Sequence, residues 1–323
     1  MKIRETLDKS KDINRRIEKV ITYAASDPKR LASEISEYVV TERIESNFNE
    51  LLDKMSTSMD SGTVNEIGVW VSGFYGSGKS SFSKYLAFAL DNEKQIDGTP
   101  FVDLLSNQLQ KKTTRQLLNK LASNFPAAVV PIDLATDQIA GATMEEISTV
   151  IYYNTLSHIG YSSAEKKVAY LELRLDRDDK YEEFKQAAQE ILDAPWSEAQ
   201  NDPMAGLSVA SQLAPVFYPK LFKDEESFQN LNIEEVTSEK DRVESMLEIL
   251  KKKTGKKYVI FVLDEVGNYV ASRKNLITNL EGLAKNLKEV GKSKAWIIAT
   301  AQQTLTEDNP RAQLNSPQLY QLE

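Results

Sequence analysis

Hydrophobic and polar positions along this chain fall into blocks whose period changes several times. Residues 1–60 are polar and charged and mostly helical in spacing, with a break near Ser26-Asp27-Pro28. After the short apolar piece Tyr38-Val39-Val40, Thr41 suits the N-cap of a helix. Ile44, Phe48, Leu51, Leu52 and Met55 then recur at three- and four-residue intervals. Ser-Met-Asp-Ser-Gly at 58–62 signals a loop. Ile67-Gly-Val-Trp-Val71 is apolar without alternation, which predicts a buried strand. A glycine-rich loop follows, then a helix with Phe82, Tyr85, Leu86, Ala89 and Leu90 on one face. A second helix is predicted over about 113–124, and the apolar run Ala127–Asp133 reads as a strand. Pro131 weakens that assignment, because proline is confined to edges and bulges of sheets.

From 141 to 257 helical spacing dominates, with charged runs such as Leu173–Lys180 and prolines at 195, 203, 215 and 219. This stretch reads as a helical insertion whose last helix, about 239–253, leads back to the core. The run Tyr258-Val-Ile-Phe-Val-Leu-Asp264-Glu265 predicts a buried strand ending in two acids. A helix bearing Leu276, Ile277, Leu280, Leu283, Ala284 and Leu287 follows, and Ala295–Thr300 is the next strand. Apolar strands alternating with helices predict an α/β fold: a parallel sheet flanked by helices, with a helical insertion. The expected organisation is an N-terminal helical segment (1–60), a first half of the core (61–140), the insertion (141–257) and a second half (258–323).

Composition narrows the class. The balance of 41% hydrophobic and 27% charged residues is that of a globular chain, and no window reaches the length of a membrane span. The N-terminus has no apolar secretory core, so a cytoplasmic location without membrane contact is expected. Cysteine is absent and there is one histidine, which excludes disulfides and thiolate metal sites. A net charge of −8 argues against a surface that is basic throughout, although Lys111, Lys112, Arg115 and Lys120 cluster locally.

Gly73-Phe74-Tyr75-Gly76-Ser77-Gly78-Lys79-Ser80 fits the spacing of a phosphate-binding loop, and Ser81 follows it. The glycines let the backbone turn and aim N–H groups inward at an anion. Lys79 would reach the β- and γ-phosphates, and the Ser80 hydroxyl would ligate Mg²⁺. The helix after the loop would present its positive end to the phosphates. Asp264, at the carboxyl end of a buried strand, would hold the same Mg²⁺, and Glu265 would act as general base toward an attacking water. Asp264-Glu-Val-Gly267 also fits the D-x-x-G of GTPases, but the guanine-reading N-K-x-D is missing after it, so ATP is the expected nucleotide. At the end of the neighbouring strand, Gln302 is the first candidate for orienting the water, followed by Thr300 and Gln303.

Around these motifs lies a further resemblance. Gly68-Val-Trp-Val-Ser-Gly-Phe-Tyr-Gly-Ser-Gly-Lys-Ser80, with Glu37–Thr41, Leu263–Val266 and Ile298–Thr304, resembles the large BREX phage-defence ATPases of the BrxC/PglY type. That resemblance implies an AAA+-like ATPase module and a place in antiviral defence beside a methyltransferase and a PglZ-type protein. Contact of the full-length protein with DNA, and nucleotide-dependent homo-oligomers, are expected as well. By the same analogy Tyr38, Val39 and Val40 would lie near the adenine. The chain ends about twenty residues after Thr300, so the final strand, the lid and an arginine finger of such a core are expected beyond it. Two alternatives are also open: an ATP-dependent scaffold with little hydrolysis, and a DNA-remodelling motor.

Overall fold

The computed structural model describes residues 28–63, 66–134, 145–233, 237–270, 273–302 and 319–322. The N-terminal part of the predicted helical segment, and Gln303, lie outside them. The α/β architecture is as predicted: parallel strands with helices on both faces. β1 (Gly68–Gly73), β4 (Ala127–Asp133), β5 (Tyr258–Asp264), β6 (Ala295–Gln302) and β7 (Leu319–Leu322) form one sheet in the order β4-β5-β6-β1-β7. All four pairings are parallel. A two-residue antiparallel pair, β2 (Gln95–Ile96) and β3 (Thr99–Pro100), stands apart. β4 is an edge strand, which is how Pro131 is tolerated.

β7 corrects an expectation, because the final strand is within the chain rather than beyond it. It pairs with β1 from Gly68↔Leu319 to Val71↔Leu322. Four residues of mixed polarity carry no periodic signal, and the pairing partner lies some 250 residues earlier in the chain.

Successive residues of each inner strand face opposite layers. Val69, Val71, Ile260, Val262 and Ile298 pack with the helices Glu42–Ser61, Lys79–Leu90 and Lys112–Asn124. Phe261, Leu263, Ile297 and Ala299 pack on the other side with the helices Ile147–His158, Glu239–Thr254 and Lys274–Gly291. The helix Glu42–Ser61 begins as its sequence demands, with the Thr41 hydroxyl accepting the N–H of Ile44 at 3.3 Å. Its buried Glu45 carboxylate accepts the N–H groups of Gln110 and Lys111, at the start of the helix Lys112–Asn124. Within the basic cluster, Lys120 pairs with Asp60 and Ser56, and Arg115 donates to the Gln110 carbonyl.

Helices between Lys166 and Gln229 have a core of their own, built on Val168, Leu171, Leu175, Phe184, Trp196 and Phe228. At its centre the fully buried Glu172 accepts hydrogen bonds from the Ser162 N–H (2.7 Å), Tyr181 hydroxyl (2.8 Å), Trp196 indole (2.7 Å) and Gln200 amide (2.9 Å). The helices at both ends of the predicted insertion, Ile147–His158 and Glu239–Thr254, belong instead to the layer covering the sheet. Trp70, Trp196 and Trp296 are all core residues.

Candidate functional site

The carboxyl ends of β1, β6, β5 and β4 lie side by side, and the register fixes what stands there. Gly73 is opposite Gln302, Val71 opposite Thr300, Leu263 opposite Ala299, and Asp133 opposite Asp264. The loop Phe74–Gly78 leaves β1 at this edge and enters the helix Lys79–Leu90. Gly76 and Gly78 have φ of +77° and +90°, values that a side chain resists, and the Ser77 N–H donates to the Phe74 carbonyl at 3.1 Å. The first helical turn is tied back through the Phe82 N–H to the Gly78 carbonyl at 2.9 Å.

Lys79 folds over the loop, its ammonium donating to the carbonyls of Gly73 and Phe74, both at 2.9 Å. Burial pushes its pKa down, and the charges of Glu265 and Asp264 oppose that shift. Those two carboxylates therefore lie within the electrostatic reach of the loop lysine. Ser80 and Ser81 are half-buried in the first turn of the helix. Phe74 and Tyr75 are exposed.

Asp264 is buried at the end of β5. Its Oδ1 accepts the Thr300 hydroxyl and, at 3.1 Å, the Glu265 N–H. The same N–H reaches Thr300 Oγ1 at 3.1 Å. Thr300, itself buried, thus ties the metal-ligand candidate to the backbone of the base candidate. Glu265 has φ of +58°, a left-handed conformation costing roughly 1–2 kcal/mol in a residue with a Cβ. The turn is held because the Glu265 carbonyl accepts the N–H groups of Asn268 and Tyr269, both at 3.1 Å, opening the helix Val266–Val270. The Asn268 amide donates to Glu265 Oε2. Burial and then the nearby Asp264 charge push the Glu265 carboxyl up, Asn268 and Lys79 pull it down, and Asp133 adds to the rise.

Of the strand-end candidates, Thr300 makes the contacts to the acidic pair. Gln302, the first candidate from sequence, sits two residues on, half-buried beside Gly73. Two participants escaped the sequence reading: Asn268, and the third carboxylate, Asp133. The polar residue three places after the acidic pair, at the start of a helix, was the available signal for Asn268. The Ser80 hydroxyl in the first turn of the loop helix and the Asp264 carboxylate at the end of β5, one strand removed from β1, are oxygen donors of the kind Mg²⁺ takes. Among the described residues no group of three or more His, Cys, Asp or Glu is placed to hold a metal alone, so phosphate oxygens would complete the shell. Nor is any described helix long and apolar enough to cross a membrane. Tyr38 and Val40 pack against the core and Val39 is exposed. A model of the KAP family P-loop domain matches residues 16–299.

Proposed function

The chain belongs to the KAP family of P-loop domains, and from that premise we propose that it binds ATP with Mg²⁺ and hydrolyses it. The observation that carries this reading is the meeting of Lys79, Asp264 and Glu265 in one electrostatic neighbourhood, with Thr300 bridging the two acids. The loop N–H groups and Lys79 cradle the phosphates, and Lys79 exchanges its bonds to the loop carbonyls for phosphate oxygens. Ser80 and Asp264 hold Mg²⁺, which when bound neutralises charge on the β- and γ-phosphates. Glu265 takes the proton of the attacking water, and its raised carboxyl pKa makes it a better base than an ordinary carboxylate. Gln302, in register with Gly73, would face the γ-phosphate side.

The cellular role rests on the flanking residues rather than on the site. Trp70-Val-Ser-Gly-Phe-Tyr75 and Ala299-Thr-Ala-Gln-Gln-Thr304 support membership of a BREX anti-phage defence ATPase. The module would then act as a nucleotide-dependent switch or assembly factor, working as a homo-oligomer with a methyltransferase and a PglZ-type protein. The test is equilibrium binding of ATP and GTP, each with Mg²⁺, to wild-type chain and Lys79→Ala. ATP preference and loss of binding in the variant are expected. Equal affinity for both nucleotides refutes the ATP assignment, and unchanged binding by Lys79→Ala refutes the loop's role.

A further inference from the structure

A cleft of about 420 Å3 opens at the amino ends of β5 and β6, the sheet edge opposite the phosphate loop. One wall is the face Glu244, Leu247, Glu248 and Lys251 of the helix Glu239–Thr254, residues spaced three or four positions apart. The other is the end of the helix Lys274–Gly291 and the short turn Lys292–Lys294 that leads into β6. The floor is apolar: Val259 and Ala295 are buried at the strand starts, while Leu247 and Val290 are only half-buried. Gly291 lets these elements close up, since a Cβ there would lie 2.5 Å from that of Ala295.

Four lysines rim this floor against two acids. Lys256 is buried and satisfied, pairing with Asp91 at 2.5 Å and Glu93 at 3.4 Å. Glu248 pairs with Arg177 at 3.2 Å, and Glu244 lies in the field of Lys240 one turn earlier. Lys251, Lys257 and Lys294 are exposed and pair with no acid among the described residues. A helix C-terminus attracts lysine in its own right, which accounts for Lys251. It does not account for Lys257, which directly precedes β5, or for Lys294, which directly precedes β6.

We propose that this cleft docks an acidic segment of a partner protein, its carboxylates on Lys251, Lys257 and Lys294 and an apolar side chain on Leu247 and Val290. Charge complementarity selects the acidic character, because the unopposed charges of the rim are all positive. The half-exposed floor selects a peptide over a nucleic-acid backbone, which offers phosphates but no aliphatic group to cover Leu247 and Val290. A second copy joined two-fold through this face would bring lysines against lysines. The cleft and the phosphate loop occupy opposite edges of the sheet, so the docking site stands whether or not the loop binds ATP.

The test titrates the full chain into a fluorescently labelled octapeptide of six glutamates flanking two leucines. Anisotropy is read at about 0.15 M salt, where exposed charges are screened beyond about 8 Å. Saturable binding is expected, at least tenfold weaker when Lys257→Glu and Lys294→Glu are combined and at least fivefold weaker with Leu247→Ser. Both lysines are exposed, so their variant keeps the fold, which far-UV circular dichroism and the melting temperature check. An octapeptide of glutamate alone should bind the wild-type chain at least fivefold more weakly, which tests the apolar floor even where Leu247→Ser fails to fold. No saturable binding overturns the proposal, and so does binding that the paired lysine variant leaves undiminished or equal affinity for the two peptides. Tighter binding of an eight-residue oligothymidine than of the leucine-bearing peptide overturns it in favour of nucleic acid. A sedimentation coefficient of the chain alone that falls in the paired lysine variant overturns it in favour of a second copy.

Discussion

Thr300→Val removes one hydroxyl and almost no volume, and the site geometry states what should follow. The Thr300 hydroxyl donates to the buried Asp264 carboxylate and accepts the Glu265 N–H at 3.1 Å. A hydrogen bond to a charged group is worth about 1.5–3 kcal/mol. The Glu265 N–H is not orphaned by the change, because Asp264 Oδ1 also accepts it at 3.1 Å. The loss therefore falls on Asp264 and on the left-handed turn at Glu265, whose backbone keeps one anchor instead of two. If that energy is lost fully in the transition state, kcat falls by roughly 10- to 150-fold at about 1.4 kcal/mol per tenfold. KM for ATP should change less than threefold, since no bond of the phosphate loop involves Thr300 Oγ1 among those seen. Steady-state phosphate release gives both numbers, and urea unfolding reports the stability cost separately. Thr300→Ser, which restores the hydroxyl, should recover most of the rate. Turnover by Thr300→Val within twofold of wild type refutes the idea that this bridge assembles the acidic pair.

Other perturbations separate chemistry from folding. Glu265→Gly removes the base and also the Cβ that strains the turn, so urea unfolding should show it unchanged or up to about 1 kcal/mol more stable while hydrolysis is lost. Asn268→Ala frees the Glu265 carboxylate from its amide partner; kcat should drop about tenfold with little change in KM, and equal kinetics to wild type would discount the contact. Gly68→Ala places a Cβ 2.1 Å from the Ile297 carbonyl, and the β1–β6 pairing cannot absorb it. Soluble protein with a native melting temperature from that variant contradicts the register. Glu172, whose carboxyl is pushed up to about 7 by burial against four donors, binds protons more tightly folded than unfolded. Its contribution is full below about 4.5 and lost as pH rises through about 7. The stability of wild type minus that of Glu172→Gln should therefore fall between pH 5 and 7.5, and a flat or rising difference counts against it.

Much of this is legible in the amino-acid sequence. Ile67–Val71, Tyr258–Asp264 and Ala295–Thr300 are continuous apolar runs, and a strand covered on both faces has no other way to be written. Gly76, Gly78 and Lys79 hold fixed spacings because the loop requires them, and Thr41 announces its helix by a local hydrogen bond. Features joined across long separations were not legible. Thr300 touches a residue 36 positions earlier, so its precedence over Gln302 as partner of the acidic pair depends on the β5–β6 register. β7 is four residues of mixed polarity that gain meaning only beside β1. The β2–β3 pair carried a readable signal, Asp97-Gly98 with φ of +48° and +79°, between strands too short to show a period. Glu172 and Arg242 sit in helices whose charged residues look solvated in sequence, because periodicity does not say which charges turn inward.

The proposed hydrolysis depends on the Glu265 carboxylate at a site assembled by Lys79 and Asp264. A single-turnover measurement of phosphate release from Mg²⁺-ATP, with wild-type chain and Glu265→Gln each in excess over nucleotide, tests it most directly. Both chains are expected to bind ATP with similar affinity, and Glu265→Gln to release phosphate at least a hundredfold more slowly. Equal release rates from the two chains would contradict it.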